Sequence, residues 1–372
     1  QTGQPTTYPN GQYEYSNLIV PTFEARNASR LDAYHRFDIS GTYTPKTKKN
    51  KQWKGEWVFS IYNLYNRKNT QSLNFRENQI TGSNEAVKLS YLEPWVRFRI
   101  TLNSRAMKKT FILMCIGILY SSCEEVIQLD LPNDTPRLVV DASLKMTPNE
   151  SVNQIIKLSL TGSFYQEENQ VITEAIVELI DLTSNLIYSF EYDAVNELAY
   201  TMLFTPSFDT NYKIRILYEG EIYESTIEQL MHSSPIDNIE QGYNTLFGGD
   251  EKEVIISFTD NEEQDNFYLF DLGDNLYLAT KDEFYQGNVF TFSYFYDELV
   301  AGDEVNIELM GIDERYFNFM TFLITQTEEG GNPFETTPTT IRGNITNLTN
   351  PEHYPMGYFR LSEGYSKSLT LE

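Results

Sequence analysis

Short runs of alternating apolar and polar residues recur along most of the chain, and this period of two predicts β-strands. Seven such runs lie between residues 137 and 230, with turn residues between them. In one of them, Ile156, Leu158 and Leu160 share one face, and Lys157 and Ser159 lie on the other. We therefore expect an immunoglobulin-like β-sandwich over 137–232. The seven runs are 137–144, 154–162, 174–182, 185–193, 197–204, 211–220 and 221–230.

A second β-rich domain is predicted over 233–372, because the segment 232–235, His-Ser-Ser-Pro, interrupts the first pattern. Its strands are expected at 253–260, 266–274, 288–298 and 303–312. One stretch, 313–327, instead has helical periodicity, and Asp313 can cap its first turn. We expect this helix to pack on the second sheet, and residues 333–366 to form loops and edge strands.

The first part of the chain, residues 1–106, shows a different rhythm of long polar loops, strands and one short basic turn. Alternating runs occur at 34–43, 53–65 and 86–92, with tyrosine and tryptophan near their ends. This rhythm predicts partial transmembrane-barrel strands, although a soluble β-meander has the same periodicity. Three strands cannot close a barrel, so we expect only a loose hairpin or meander beside the rest of the protein.

The stretch 107–123 has the parts of a lipoprotein export signal: two lysines, an apolar run over 111–120 and two serines before Cys123. The apolar run has ten residues, whereas a membrane-spanning helix needs about 20. We predict that Cys123 is lipidated and anchors the protein in the outer membrane, at the cell surface. The alternative is a buried strand or helix.

Two acidic residues, Glu124 and Glu125, follow the predicted lipid-bearing cysteine, and we interpret them as a surface-export tag. A plain solvated linker is the alternative. Residues 124–136 contain two prolines and are expected to form an extended tether.

The charge of the chain changes sign between its two parts. Residues 1–106 contain 15 Lys/Arg and 8 Asp/Glu, whereas the remainder contains 13 and 45. Such a reversal suggests two polypeptides of different history. The acidic part would repel a phosphate backbone, so we expect no nucleic-acid partner.

Two resemblances follow from these stretches. The run AYHRFDISGTY…WKGEWVFSIYNLYNRKN resembles the C-terminal end of a SusC-like TonB-dependent outer-membrane receptor, over residues 1–92. The resemblance stops after Leu92, and a reading shifted by two bases within 93–105 can encode an aromatic last strand and a stop. We therefore interpret 93–106 as an out-of-frame junction that joins two neighbouring genes. The likeness implies a partner receptor for nutrient uptake.

The second resemblance covers residues 107–372. The phrases CEEVIQLDLP…RLVVDASL, GNPFETTPTTIRGNITN and MGYFRLSEGY are similar to a family of lipoproteins of unknown function, DUF4249. That resemblance implies an outer-membrane lipoprotein that works with such a receptor in Gram-negative bacteria, and it carries no catalytic residues.

Motifs for catalysis or cofactors are lacking in the sequence: three histidines are scattered, and neither a GxSxG nor a phosphate loop occurs. We expect no cofactor and no enzyme. A weak calcium candidate comprises Asp260, Glu262 and Asp265, whose alternative is a solvated turn.

An aromatic run could present stacking surfaces to a sugar or peptide, since Phe290, Phe292 and Tyr294 share one face. A strand with that face in the core is the alternative. Our leading hypothesis is an accessory protein that binds a ligand or a receptor. An enzyme acting on glycans or peptides and an adhesin-like module are the alternatives.

Overall fold

Strands dominate the computed structural model of the protein, which describes residues 3–45, 55–77, 84–90, 95–102, 123–166, 168–195, 198–246, 249, 251–263, 265–297, 299–328 and 339–372. The first ten strands are β1 Pro5–Thr6, β2 Pro9–Tyr15, β3 Leu18–Phe23, β4 Ser29–Arg30, β5 Ile39–Tyr43, β6 Gly55–Tyr62, β7 Thr70–Glu77, β8 Asn84–Ser90, β9 Trp95–Leu102 and β10 Cys123–Ile127.

The remaining elements include one α-helix. They are β11 Leu138–Met146, β12 Asn153–Leu160, β13 Ile176–Asp181, β14 Leu186–Asp193, β15 Ala199–Leu203, β16 Tyr212–Tyr218, β17 Glu221–Ser225, β18 Leu230–Met231, β19 Ile236–Gln241, β20 Lys252–Thr259, β21 Phe267–Asp271, β22 Tyr277–Lys281, β23 Val289–Tyr296, β24 Glu304–Ile312, α1 Glu314–Glu328, β25 Ile345–Asn347 and β26 Met356–Thr370.

The chain divides into two compact units. The first comprises residues 1–9, 23–132 and 329–339, and the second comprises 10–22, 133–328 and 340–372. The first unit holds three small sheets with the orders β1-β4, β5-β6-β9 and β10-β8-β7. The predicted strands of residues 34–92 are present as β5, β6 and β8. Part of the predicted tether, 124–127, instead lies in strand β10, whose backbone pairs with β8.

The second unit is built on one 13-stranded sheet, with the order β22-β21-β24-β26-β11-β12-β15-β14-β13-β16-β17-β25 and β18 beside β26. Strands from opposite ends of the β26-to-β25 part contribute to a single core, so this part curls round it in a sandwich-like way. Alternate residues of β11, β12, β13 and β16 supply that core, as the period of two predicts.

The other part of the sheet is covered on both faces. A three-stranded sheet, β19-β20-β23, packs on one face through Val254, Ile256 and Phe258. Helix α1 and the hairpin of β2 and β3 contribute to the core on the other face. Burial on both faces explains why β24 ends in four consecutive buried residues, 309–312.

The strand that joins the two parts is β26. Its residues 356–363 run parallel to β11, and residues 364–370 run antiparallel to β24. Near its start, Gly357 has φ +88°, and a Cβ there would lie 2.0 Å from the carbonyl oxygen of Val140. Only glycine allows this close approach of two backbones.

The all-β prediction is confirmed, as are the seven strands predicted over 137–230, the four over 253–312 and the helix. Asp313 caps that helix by accepting a 2.8 Å hydrogen bond from the backbone N–H of Tyr316. Three further expectations differ from the structure. The segment expected to form loops and edge strands contains β26, a central strand. This strand pairs on both sides of the predicted boundary at 232/233, so one sheet crosses it.

The third difference concerns the N-terminal part. Residues 10–22 belong to the second compact unit and contribute fully buried tyrosines to its core, so the expectation of a loose meander beside the rest is wrong for this hairpin. The predicted signal from residue 107 to 122 lies outside the described residues.

Candidate functional site

A cleft of about 390 Å³ opens where the central sheet of the second unit carries polar instead of apolar side chains. Its lining includes Asp271 from the end of β21, Tyr277 from β22, and Glu304 and Glu308 from β24. Asp271 is the register partner of both Tyr277 and Glu308, so the three lie in one row across neighbouring strands. Cross-strand partners project from the same face of a sheet, and the row therefore forms one polar surface.

One wall of the cleft is the tight turn between β21 and β22. Gly273, Asp274 and Asn275 all have positive φ, at +82°, +49° and +62°. The Asp271 carboxylate accepts a 3.0 Å hydrogen bond from the backbone N–H of Gly273 and so closes the turn. Glycine, aspartate and asparagine tolerate this left-handed backbone, which is why the sequence DLGDN folds back here.

The hairpin formed by β2 and β3 contributes Asn17 to the lining, from its tip, where Ser16 and Asn17 have φ +48° and +60°. The hydroxyl of Tyr277 donates a 3.0 Å hydrogen bond to the carbonyl of Ser16. The Ser16 N–H in turn donates to the carboxylate of Asp141 at 2.9 Å. These contacts fix the position of Asn17, which lines the cleft.

The charges of the site are unevenly neutralised. Lys145 of β11 forms an ion pair with Glu308. Burial raises the pKa of Asp271, and the neighbouring Glu308 raises it further, against the opposing effects of the Gly273 N–H and Lys145. Burial likewise raises the pKa of Tyr277, with a smaller contribution from Asp271. The carboxyl of Asp271 is therefore easier to protonate than an ordinary aspartate.

A buried guanidinium lies beside this row. Arg360 of β26 is 7% exposed and lies 4.8 Å from the centre of the Tyr316 ring. Its guanidinium donates to Ser362 Oγ at 2.5 Å and approaches the Met310 sulfur at 3.3 Å. Its positive charge opposes the burial-induced rise in the pKa of Asp141 and Asp271. Arg360 thus favours the ionised form of the Asp271 carboxyl, which lines the cleft.

The lining of the cleft favours ligands that donate hydrogen bonds. Four carboxylates, on Asp271, Asp274, Glu304 and Glu308, face a cleft that also holds amide and phenol groups, and such a surface accepts hydrogen bonds from ammonium or hydroxyl donors. Within the described part of the chain, no group of three or more His, Cys, Asp or Glu side chains could hold a metal ion.

The residues of the weak calcium candidate do not form one site. The carboxylate of Asp260 is buried and accepts hydrogen bonds from the Tyr268 hydroxyl at 2.6 Å and the Gly287 N–H at 2.8 Å. Glu262 and Asp265 are exposed on the following turn. Asp260 therefore ties this turn to the sheet, whereas the exposed Glu262 and Asp265 fit the alternative of a solvated turn.

The three residues of the aromatic candidate lie on β23, at one edge of the three-stranded sheet. Phe290, Phe292 and Tyr294 are partly buried against the core of this region. Phe290 stacks on Tyr285 at 4.3 Å, and Phe292 meets Phe270 at 5.0 Å. Their rings face the core, as in the alternative interpretation, and not an open stacking platform.

The three residues at the predicted anchor, Cys123, Glu124 and Glu125, are paired through their backbones with Ser90, Leu89 and Lys88. Lipidation of Cys123 and export through the two glutamates stay predictions. The cleft residues were not predicted from the sequence. A signal was available in β24, where Glu304, Asn306 and Glu308 alternate with apolar residues and so predict one strongly polar face.

Comparison with known proteins adds a family but no activity. Among the described residues, no helix combines the length and apolar character that crossing a bilayer requires. No curated protein matches the sequence. The sequence model of one family, described as "Domain of unknown function (DUF4249)", matches residues 124–368. This chain therefore belongs to the DUF4249 family.

Proposed function

We propose that the protein is an outer-membrane lipoprotein, anchored through Cys123, that binds a small peptide or glycan as the accessory partner of a TonB-dependent nutrient-uptake receptor. The observation that carries ligand binding is the cleft, in which four carboxylates surround a space of about 390 Å³. A space of this size lies within the usual range of small-molecule sites, about 300–1,000 Å³.

The anchor and the partner are supported by sequence features. The signal-like stretch before Cys123 supports lipidation. The receptor-like run of residues 33–69 supports a neighbouring receptor gene. The family's position, beginning at residue 124, directly follows the predicted lipid-bearing cysteine.

Ligand binding is tested by calorimetry on the purified full chain, with a lysine-rich tetrapeptide and a neutral oligosaccharide as probes. We expect at least one probe to bind, without product formation, and Asp271→Asn to weaken it at least tenfold. Glu191→Gln, on an exposed position of β14, is the matched control and should bind as the wild type does. Absence of binding by both probes, or equal binding by the Asp271→Asn variant, would argue against the cleft as a ligand site.

The anchor is tested by membrane fractionation of cells that express the full chain or its Cys123→Ala variant. We expect the wild type in the outer-membrane fraction and the variant in the soluble fraction. The same extracts report the partner, since the receptor should co-purify with the wild type. A variant that stays in the membrane after high-salt washing would contradict lipid anchoring.

A further inference from the structure

One core of the second unit is completed by residues that come from far outside the family domain. The hairpin of β2 and β3 contributes Tyr13, Tyr15 and Val20, which are 0%, 1% and 0% exposed. The family domain begins at residue 124, so these side chains are not part of it. We call the surface that they cover the hairpin groove, and its residues are Leu269, Met310, Phe319, Met320, Met356 and Tyr358.

The groove is apolar at its centre. Tyr15 meets the Phe319 ring of α1 edge to face at 5.4 Å, and its hydroxyl donates to the Tyr316 hydroxyl at 3.2 Å. Met320 and Leu323 of the same helix are both 0% exposed. Without the hairpin, this face of α1 and of the sheet would lie in water as one contiguous apolar surface, and monomeric proteins rarely expose such patches.

The rim of the groove is polar and pairs specifically with the hairpin backbone. Gln12 and Gly162 exchange two backbone hydrogen bonds, of 3.0 and 2.9 Å, so the hairpin edge is joined to the domain as an added strand would be. At the tip, Asp141 accepts from the Ser16 N–H at 2.9 Å. Lys157 donates to the Asn17 side chain at 3.1 Å.

The hairpin carries the matching pattern. Residues 12–20, QYEYSNLIV, place Tyr13 and Tyr15 on one strand and Leu18 and Val20 on the other, all facing the groove. Positive φ at Ser16 and Asn17 makes the tight two-residue turn that connects them. Apolar centre, backbone pairing and rim contacts are the features of peptide recognition by a preformed groove.

We propose that the hairpin groove of the family domain is a docking site for a β-hairpin of a separate polypeptide, and that residues 10–22 occupy it here because they are joined to the same chain. The ligand is a hairpin with a Tyr-x-Tyr strand and a small polar tip. The identification of that polypeptide with the uptake receptor rests on the proposed function, whereas the groove itself does not.

The test uses the full chain and a labelled cyclic peptide of residues 9–23, closed by a disulfide between added terminal cysteines. In the double variant Tyr15→Ser/Val20→Asp, the groove should lose its own hairpin. We expect this variant to bind the peptide in fluorescence anisotropy at least tenfold more tightly than the wild-type chain, whose groove is filled. A peptide that carries Tyr15→Ser is the matched control and should bind at least tenfold more weakly than the native peptide.

Equal binding of the two peptides, or no binding by a folded double variant, would overturn the proposal. If the double variant does not fold, the single variant Tyr15→Ser takes its place, and a peptide with a photoreactive phenylalanine at the position of Tyr15 is added to it. Cross-links within 314–328 then support the groove, and their absence there overturns it. If the peptide binds but the receptor does not co-purify, the groove is supported as a docking site for a hairpin, and the receptor is excluded as its partner.

Discussion

A histidine clamp within the second unit joins Pro136, Glu221 and His353, and its strength should depend on pH. His353 Nδ1 lies 3.0 Å from a carboxylate oxygen of Glu221, and His353 Nε2 lies 2.9 Å from the carbonyl oxygen of Pro136. Both partners are acceptors, so the ring fits best as an imidazolium that donates from both nitrogens. The same Glu221 oxygen accepts from Tyr223 at 2.5 Å and Asn347 at 2.8 Å.

The pKa shifts set the direction of the pH dependence. The Pro136 carbonyl, followed by Glu221, raises the pKa of His353 above its ordinary 6.5, against the opposing effect of burial. Stability from His353 is therefore complete below about pH 6.5 and lost as the pH rises through the raised pKa. The hydroxyl of Tyr223, with His353 and Asn347, lowers the pKa of Glu221 to about 2. The stability that the Glu221 carboxylate contributes is complete above about pH 4.5 and is lost as the pH falls towards 2.

We expect His353→Gln to weaken the clamp by about 1–2 kcal/mol between pH 4.5 and 6.5. A net hydrogen bond to a charged group contributes about 1.5–3 kcal/mol, and solvent reduces it here. The two side chains are 28% and 23% exposed. Hydrogen exchange measures the effect, since amides of 347–353 should lose about 5- to 30-fold of their protection at pH 5.5.

The control is His35→Gln, which removes an exposed histidine that contacts Tyr65 in the first unit. This variant should leave the exchange of 347–353 unchanged. Glu221→Gln should lower protection at least as much as His353→Gln does, because Glu221 also accepts from Tyr223 and Asn347. The double variant should add little to Glu221→Gln alone, because the contact between the two side chains is then already lost. Equal protection in the wild type and His353→Gln at pH 5.5, or wild-type protection that increases from pH 6.5 to 9, would refute the clamp.

Two further predictions concern stability: one tests a close backbone approach at Gly357, and the other tests the helix cap at Asp313. Gly357→Ala should lower the free energy of unfolding by more than about 2 kcal/mol in denaturant titrations, since a left-handed residue alone costs about 1–2 kcal/mol and its Cβ would also meet the Val140 carbonyl at 2.0 Å. Gly220→Ala, at φ +81° with open space around it, should cost only about 1–2 kcal/mol, and an equal loss at both positions would contradict the role of close approach. Asp313→Ala should cost about 0.5–2 kcal/mol through loss of the helix cap, whereas Asp313→Asn should retain most of it; equal losses would argue against capping.

Local patterns predicted the elements of the second half well. Strands β12 and β16, for example, alternate between buried and more exposed residues, since one face of each is in the core. The helix combines an apolar stripe with a capping aspartate, and both signals lie within a few residues of each other. Such signals depend only on near neighbours in the chain, so a single sequence contains them.

The site was harder to predict because its residues are distant in sequence. Asp271, Tyr277 and Glu308 become neighbours through strand register, and Lys145 reaches them from β11. The aromatic run of β23 gave a stronger local signal, yet its rings turned out to face a core. An exposed and a buried aromatic strand have the same alternation, and only the sheet that packs beside it distinguishes the two.

The amino-acid sequence by itself determined that this protein is all-β, which runs of 137–230 and 253–312 form strands, and that 313–327 is helical, because periodicity, turns and caps act over a few residues. Only the tertiary structure decided the place of β26 and of the hairpin 10–22. The strand β26 buries Arg360, Ser362 and Glu363, which no alternation rule assigns to a central strand. Glu363 is tolerated inside because a distant segment supplies a partner, the Ser233 N–H at 2.9 Å, whereas Arg360 and Ser362 bond to each other.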